Sequence, residues 1–429
     1  MGGSTGDYLV GKWRWLFRQF GQRMWVRATM FSVAAVATAL IAVIIGPYLP
    51  TTWELKLAAG SVGNILNILA SSMLAVTTFS LSIMVSAYGS ATSNVTPRAT
   101  KLLITDSVAT NTLATFIGTF LFSIVGIVGL AANIYGNNGR IILFFATLVV
   151  IFIVVAALLR WIQELNYFGR VGDTTARVEK RAVAAARNWA QRPRLGANAA
   201  VPIPEGAAPI YAHSAGYIQH VDMGTLREAC DDCDADIHLV RLPGRFVTPD
   251  VPVAYAVPEL DSGPRDKVMA AFTIGNERNY DQDPRYGFVV LSEVASRALS
   301  PAVNDPGTAI DVLASGTRVF LAYSDGSQEE QTELFERIYA PDVQIEDLMH
   351  DFYNAIARDG AGVVEVQIRL QRQLELIARA DHALFGEQAK VQAQAAFEHT
   401  SAAQLTTPEM AMLRKAADWQ PPNRDRSVA

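Results

Sequence analysis

Four long apolar runs in the first 160 residues constrain this chain more than any other feature of its sequence. They cover roughly residues 30–47, 57–88, 113–132 and 141–159. A helix needs about 20 mostly apolar residues to cross the hydrocarbon core of a bilayer, because unpaired backbone groups are not tolerated there. We therefore predict four transmembrane helices, with the lipid bilayer as the first partner of the chain.

The basic residues around these runs predict an orientation. Five lysines or arginines precede the first run and five follow the fourth, whereas the two predicted outer loops hold only Lys56 and Arg140. Basic residues next to membrane helices stay on the cytoplasmic side. The pattern predicts a multi-pass protein of a bacterial inner (plasma) membrane with both termini cytoplasmic. Residues 89–112, which include Arg98 and Lys101, form an inner loop in this prediction.

The remainder of the chain has the composition of a globular domain. Half of the 429 residues are hydrophobic, but the excess lies before residue 161, and mixed charge and prolines follow. The predicted fold class is membrane α-helical, with four transmembrane helices, followed by a cytosolic α+β domain. The predicted divisions are a basic N-terminus (1–29), the transmembrane domain (30–160), a helical extension and linker (161–209), a small β-rich module (210–262), a helical domain (263–403) and a tail (404–429).

Local patterns predict the elements of the cytosolic part. The fourth membrane helix is expected to continue through residue 190, and 193–209 is expected to be a linker. Short strands are predicted at 210–221, 237–242 and 245–257, and Asp222 is expected to cap a helix that ends near Cys230. Further helices are predicted at 265–274, 286–299, 306–320, 331–339, 344–359 and 363–402.

The second apolar run carries polar residues on one helical face. They form what we call the polar stripe: Asn64, Asn67, Ser71, Thr78 and Ser82. Polar groups that face lipid are costly, so the stripe should face protein or water. It serves either to pack helices together or to line a hydrated pathway formed by several copies of the chain.

A second, weaker polar set lies in the third run, and helix packing, the interpretation that residue type favours for the polar stripe, is favoured more strongly there. This threonine stripe consists of Thr112, Thr115, Thr119 and Ser123. None of the four runs contains Asp, Glu, Lys or Arg. The usual sign of a proton-coupled or voltage-sensing device is therefore missing.

The most distinctive motif follows residue 278, where ALSPAVNDPGTA occupies 298–309. With SAGYIQHVD at 214–222, TPR at 96–98 and FIGTFLF in the third run, it resembles a bacterial family of multi-pass membrane proteins known only as a domain of unknown function. The resemblance covers most of the chain. It implies the topology and the fold, and it implies no activity.

The motif also predicts a polar corner between two helices. Glu293 and Arg297 lie four residues apart on one helix and are expected to pair, and Asp305 before Pro306 is expected to start the next helix. The corner is either a structural turn or a site for a small ion, in which Asp283, Arg278 and Asp305 would converge. The candidate residues are Arg278, Asp283, Glu293, Arg297, Ser300, Asn304 and Asp305.

Other chemistry finds little support in the residues. Cys230 and Cys233 form a C-x-x-C pair, but a second Cys or His pair at zinc spacing is missing, so no metal and no cofactor is predicted. His213 and His220 are read as ordinary strand residues. A formal charge of −5 and the lack of a basic stripe argue against nucleic acid. An enzyme is disfavoured, because the main catalytic motifs do not occur.

Two functions of different classes remain. The first is a homo-oligomeric, channel-like or transport protein whose second helix lines the pathway and whose cytosolic domain gates or assembles it. The second is a membrane-anchored scaffold or sensor that binds an ion or a cytosolic partner and transports nothing. The polar stripe favours the first, and the size of the cytosolic part is compatible with both.

Overall fold

The computed structural model describes most of the chain after residue 58. The described residues are 59–104, 107–132, 134–135, 137–165, 170–328 and 335–419, with a few isolated helical positions between 26 and 41. The first predicted membrane helix, at 30–47, otherwise lies outside them. So do most of the predicted basic N-terminus and the last ten residues of the predicted tail.

The described residues divide into two compact units. One, here the N-terminal unit, holds residues 59–93 and 100–170. The other, the C-terminal unit, holds residues 171–419 with the short segment 94–99. Among the described residues, the chain therefore leaves the N-terminal unit at Asn94 and returns to it at Thr100.

The N-terminal unit is helical. Its helices are α1 (Ala59–Asn94), α2 (Pro97–Ile104), α3 (Ser107–Ala131) and α4 (Asn137–Leu165). Three of them are long and apolar enough to cross a membrane, over Ser61–Ser90, Val108–Ala131 and Gly139–Leu165. These three spans match the second, third and fourth predicted membrane helices.

One face of α1 packs against α3 and α4. Near its start, Leu66 is fully buried against Gly126 of α3, where an added Cβ would come within 2.9 Å of the leucine side chain. Further along, Met73 joins a cluster with Phe116 and Trp161. Close packing of this kind holds apolar helices together where no hydrophobic effect acts between them.

The C-terminal unit begins with helix α5 (Val171–Gln191) and contains two sheets. A five-stranded sheet has the order β1-β8-β4-β6-β2, in which β1-β8 and β8-β4 are parallel and the other pairs antiparallel. A three-stranded antiparallel sheet has the order β5-β3-β7. The strands are β1 (Ala197–Ala199), β2 (Ala208–Tyr211), β3 (Gly216–Val221), β4 (Asp236–Leu239), β5 (Phe246–Val247), β6 (Pro252–Val257), β7 (Phe272–Gly275) and β8 (Phe335–Ala340).

Helices cover the rest of this unit. They are α6 (Met223–Cys233), α7 (Ser262–Ala271), α8 (Pro284–Ala298), α9 (Pro306–Ser327), α10 (Ile345–Asp359), α11 (Val364–Ala380), α12 (His382–Ser401) and α13 (Thr407–Ala417). Helix α8 packs on α5, α9 and α10. The centre of this helical layer is an aromatic cluster in which Phe320 contacts Phe288, Phe352, Tyr353 and Phe385.

Three local predictions are wrong in part. Residues 335–340 form strand β8 instead of the end of a helix, because β8 pairs with both β1 and β4. The supposed linker at 193–209 contains β1 and the start of β2. The fourth apolar helix does not run on to residue 190, since Arg170 is not helical and α5 begins afterwards.

The remaining predicted strands and helices are recovered with shifted ends. The run at 210–221 is two strands in different sheets, and the helix predicted at 265–274 ends at Ala271, where strand β7 begins. Asp222 caps α6 as expected, accepting a hydrogen bond from the Thr225 amide at 3.1 Å.

Candidate functional site

The polar stripe lies on the outside of the N-terminal unit. With about 100° of rotation per helical residue, its five members fall within an arc of about 60°. All five are exposed. Val62, Leu66, Met73 and Met84 lie on roughly the opposite side of α1 and are buried. Helix α1 thus packs through its apolar face and leaves its polar face uncovered by the described residues.

The hydroxyl groups of the stripe bond to their own helix. Ser71 donates to the Asn67 carbonyl at 2.9 Å, and Thr78 donates to the Leu74 carbonyl at 3.0 Å. A hydroxyl in an apolar medium costs less when it is hydrogen-bonded, as these two are to the carbonyls of their own helix. The carboxamides of Asn64 and Asn67, each with two donors and an acceptor, make no side-chain hydrogen bond within the described part of the chain. They are the members of the stripe that most need water or a partner.

The threonine stripe of α3 has the opposite placement. Its four residues are all buried inside the N-terminal unit. Thr115 donates to the Asn111 carbonyl at 2.8 Å, and Ser123 donates to the Thr119 carbonyl at 2.9 Å. The interpretation as helix packing fits this stripe, whereas the exposed polar stripe of α1 has no such partner helix among the described residues.

A buried ion pair precedes α8. Asp283 is 2% exposed and accepts two hydrogen bonds from the Arg278 guanidinium, at 2.7 and 2.9 Å. Its Oδ1 also accepts from the backbone amides of Arg285 and Tyr286, both at 3.1 Å, so Asp283 caps the helix. Gly244, with φ +88°, lies so close that an added Cβ would come within 2.1 Å of the carboxylate.

The charges of this pair stabilise each other. Burial raises the pKa of the Asp283 carboxyl, and Arg278 with the two backbone amides opposes that rise. Burial alone would lower the pKa of Arg278, but the hydrogen bonds and charge of Asp283 outweigh it and hold the pKa above its ordinary value. The Arg278 guanidinium also lies 5.2 Å from the centre of the Tyr286 ring. The group is satisfied internally and acts as a structural clamp on the start of α8.

Glu293 of α8 pairs with a residue that the sequence does not suggest. Its carboxylate binds the Arg98 guanidinium, from the 94–99 segment, instead of Arg297 one turn along the helix. Burial raises the pKa of Glu293, while Arg98 and the Thr96 side chain, which also hydrogen-bonds it, oppose that rise. The expected i, i+4 pair with Arg297 is therefore replaced by a contact across 195 residues of sequence.

The motif turn between α8 and α9 is exposed and closed by its own hydrogen bonds. The Ser300 hydroxyl donates to the Arg297 carbonyl at 2.6 Å, and Asn304 has φ +51°. Asp305 caps α9 by accepting from the Thr308 amide at 3.0 Å and the Thr308 hydroxyl at 2.6 Å. These hydrogen bonds satisfy polar groups within the turn itself, and Arg297 contributes its backbone carbonyl to them.

The wider convergence expected of these residues is wrong. Asp283 lies before the start of α8 and Asp305 lies beyond its end. A helix of 15 residues is about 22 Å long, so Asp305 cannot join Arg278 and Asp283 in one small-ion site.

The cysteine and histidine residues form no recognisable centre. Burial, with nearby acidic groups, raises the pKa of the Cys230 thiol to about 12, which makes it unreactive at neutral pH. Burial also lowers the pKa of His238. The His238 ring stacks on the ring of Tyr339, with 4.8 Å between the ring centres. Within the described ranges, no three His, Cys, Asp or Glu residues are grouped so that they could hold a metal ion.

Sequence reasoning also missed an ion-pair network between α8 and α10. Arg285 donates two hydrogen bonds to Asp351, at 2.7 and 3.1 Å, and a further one to Asp347. The residues are 62 to 66 positions apart, and no local pattern marks them as partners. The network fixes α10 against the helix that carries Glu293.

Comparison with known protein families shows which family this chain belongs to. Residues 21–375 match the model of a family described as predicted membrane protein, DUF2254. The chain belongs to this family. The match spans both units and ends within α11, and it agrees with the predicted resemblance to a membrane-protein family of unknown function.

Curated relatives in mycobacteria match over a short stretch. The uncharacterized proteins Mb1321c of Mycobacterium bovis and Rv1290c of Mycobacterium tuberculosis are each 34% identical to this chain over 118 residues. The match covers 26% of this chain and only 22% of each relative. No solved structure matches the chain. Membership of the family therefore supports the assignment as a membrane protein. The family description gives no activity, so a function has to be argued from the geometry.

Proposed function

We propose that the protein is a homo-oligomeric, channel-like membrane protein whose pathway is lined by the polar stripes of several α1 helices. The observation that carries this proposal is the exposed position of the stripe, directly opposite the packed face of a helix apolar enough to span a membrane. No described residue covers Asn64 or Asn67, so lipid around these residues in a monomer would bring their amides into contact with hydrocarbon. Around a shared axis they would face water or one another.

The energetic cost of the monomer supports assembly. Transfer of an amide side chain into an apolar environment without a compensating hydrogen bond costs about 2–7 kcal/mol. Each chain carries two such groups on the stripe. An oligomer removes this cost, and its closed symmetry places the same face of every copy toward one axis.

The length of the stripe favours a pathway over a local packing contact. From Asn64 to Ser82 it spans about 27 Å along the helix, close to the roughly 30 Å thickness of the hydrocarbon core. Helix pairs that pack through polar or small residues need only a few such positions. The lining is uncharged, which suits a small ion or polar solute and gives no strong selection by charge.

The proposal also keeps the predicted orientation. The basic residues before the first and after the fourth apolar run support a bacterial inner membrane with both termini in the cytoplasm. The C-terminal unit then lies in the cytosol, where it serves for gating or assembly.

Conductance of the purified full-length protein in planar bilayers tests this function. The wild-type protein should conduct, and Asn67→Leu should reduce the conductance severalfold, because a leucine withdraws a polar ligand from the pathway. Ser71→Ala and Ser80→Ala form a matched pair, since Ser71 is exposed on the stripe and Ser80 is buried on the packed face of α1. Only Ser71→Ala should alter conductance. A silent wild-type protein, or equal effects of both serine variants, would overturn the proposal.

A second candidate is a membrane-anchored scaffold or sensor. The C-terminal unit favours it, because that unit forms a hydrophobic core of its own around the five-stranded sheet. A chain in which an unrelated anchor replaces the apolar helices distinguishes the two functions. Full retention of the cellular function by that chimera would favour the scaffold and contradict the channel.

A further inference from the structure

The segment 94–99 occupies an unusual position in the chain. It joins α1 to α2, and yet it belongs to the same compact unit as residues 171–419. Val95 and Ala99 are fully buried, and the Thr96 hydroxyl accepts a hydrogen bond from the Ala99 amide at 3.3 Å. The segment is thus folded into the C-terminal unit instead of forming a free loop.

One carboxylate holds this segment from the other side. Glu293 binds the Arg98 guanidinium and also takes a hydrogen bond from the Thr96 side chain. Its helix, α8, is fixed by the Asp283 cap at its start and by the bonds of Arg285 to α10. The anchor point for Arg98 therefore lies on one of the best-supported helices of the C-terminal unit.

The connection from this anchor to α1 is short. Helix α1 ends at Asn94, and four steps along the chain lead to Arg98. Four residues span about 14 Å at most when fully extended, and part of this stretch is the turn at Thr96 that begins α2. The four residues provide little slack, so a displacement of Glu293 beyond the reach of the Arg98 side chain cannot be absorbed by the connecting chain. It must either break the ion pair or move the end of α1.

We propose that Arg98 and Glu293 form a latch through which the C-terminal unit sets the position of the end of α1. The latch rests on the proposed function, because α1 is the helix whose polar stripe lines the pathway. The contact lies within the C-terminal unit, and the covalent chain carries its effect to α1. A ligand or partner that moves α8 would thereby act on the pathway without touching it.

Reversing one charge of the pair, and then swapping both charges, tests the latch in the full-length protein. Glu293→Arg places two cations together and should release the segment, so amide hydrogen exchange in the last turns of α1, residues 86–94, should rise about three- to tenfold. The double variant Arg98→Glu with Glu293→Arg restores opposite charges and should return the exchange rate to within about twofold of wild type. Conductance should likewise change in Glu293→Arg and return toward the wild-type value in the double variant.

The matched control is the ion pair between Arg318 of α9 and Glu179 of α5. Its two hydrogen bonds measure 2.5 and 2.6 Å, and its side-chain exposures, 55% and 19%, are close to the 56% and 27% of Arg98 and Glu293. Glu179→Arg should leave exchange at the end of α1 unchanged. An equal rise in both variants would show general loosening and would overturn the latch.

The outcomes separate the latch from the channel. The latch is wrong if Glu293→Arg leaves the amide hydrogen exchange rate of residues 86–94 unchanged. It is also wrong if the double variant Arg98→Glu with Glu293→Arg fails to restore that rate. Both results hold whether or not the protein conducts. If exchange responds as expected while the wild-type protein is silent in bilayers, the latch stands as a mechanical link and the proposed channel fails.

Discussion

At the scale of single residues, two aspartates cap two helices through the same kind of hydrogen bond, but their surroundings differ. Asp283 and Asp305 each precede a proline and each accept hydrogen bonds from the first turn of the helix that follows. Asp283 is buried and paired with the partly buried Arg278, whereas Asp305 is exposed to solvent. Substitutions at the two positions therefore distinguish the stability that a helix cap contributes from the stability that depends on a buried ion pair.

The first prediction compares alanine at these two positions. Asp283→Ala should lower the free energy of unfolding of the C-terminal unit by about 3–5 kcal/mol, because it leaves the Arg278 charge buried without its partner. Asp305→Ala removes only an exposed cap and should cost about 1 kcal/mol. Thermal unfolding of the full-length variants in detergent measures the difference. Equal losses of stability would show that the Arg278–Asp283 pair is not buried as described.

The residue scale also shows what local sequence can predict. The Asp305 cap follows from Asp-Pro at a helix start, and the polar stripe follows from spacing along one helix. Asp283 also precedes a proline and caps α8, but the prediction assigns it to a candidate ion site and begins that helix at residue 286. The partner of Glu293 does not follow, because Arg297 one turn away is the local candidate and Arg98 lies 195 residues earlier. The exposure of Asn67 likewise depends on which neighbours cover the helix, which periodicity does not reveal.

At the scale of elements, helices α5 and α8 approach closely at one glycine. A Cβ added to Gly287 of α8 would come within 2.3 Å of the Ala182 Cβ and 2.8 Å of its Cα on α5. Backbone atoms cannot move aside as a flexible side chain can. The glycine therefore sets the distance between the two helices.

The second prediction follows from this contact. Gly287→Ala should destabilise the protein by about 1–3 kcal/mol, because the overpacking outweighs the gain in helix propensity. Gly172→Ala on α5 is the control, since nothing lies within 4 Å of the added Cβ, and it should be neutral or slightly stabilising. Melting temperatures of the two variants decide the matter. Stability of Gly287→Ala at or above that of Gly172→Ala would contradict the packing of α5 on α8.

Long-range pairing explains which elements the sequence predicted poorly. Helices α8 and α10 begin and end within two residues of their predicted bounds. Helix α9 begins at the predicted Pro306 but ends seven residues later than predicted, at Ser327. Strand β8 was expected to be helical, and its partner β1 lies more than 130 residues away in what reads as a linker. Helix-forming residues such as Glu336 are overridden there by pairing on both sides of the strand.

At the scale of the whole molecule, composition alone predicts the division into apolar and globular parts. Three apolar helices and a larger α/β part follow in the structure, and the family description agrees that this is a membrane protein. The short return of residues 94–99 to the C-terminal unit was not foreseen, because it depends on contacts between distant parts of the chain. In the proposed latch, this return of the chain connects the C-terminal unit to α1, the helix that bears the polar stripe.

The central claim is that copies of the chain meet through the polar stripe, and cross-linking in native membranes tests it most directly. In a full-length protein with Cys230→Ala and Cys233→Ser, Asn67→Cys should give covalent oligomers with a short bismaleimide, because symmetry brings identical stripe residues together around one axis. Phe152→Cys on α4 is the control, since Phe152 is 74% exposed and lies on another helix. Oligomers from Asn67→Cys and monomer from Phe152→Cys are the predicted result. Monomer from Asn67→Cys, or efficient cross-linking at Phe152→Cys alone, would contradict the account.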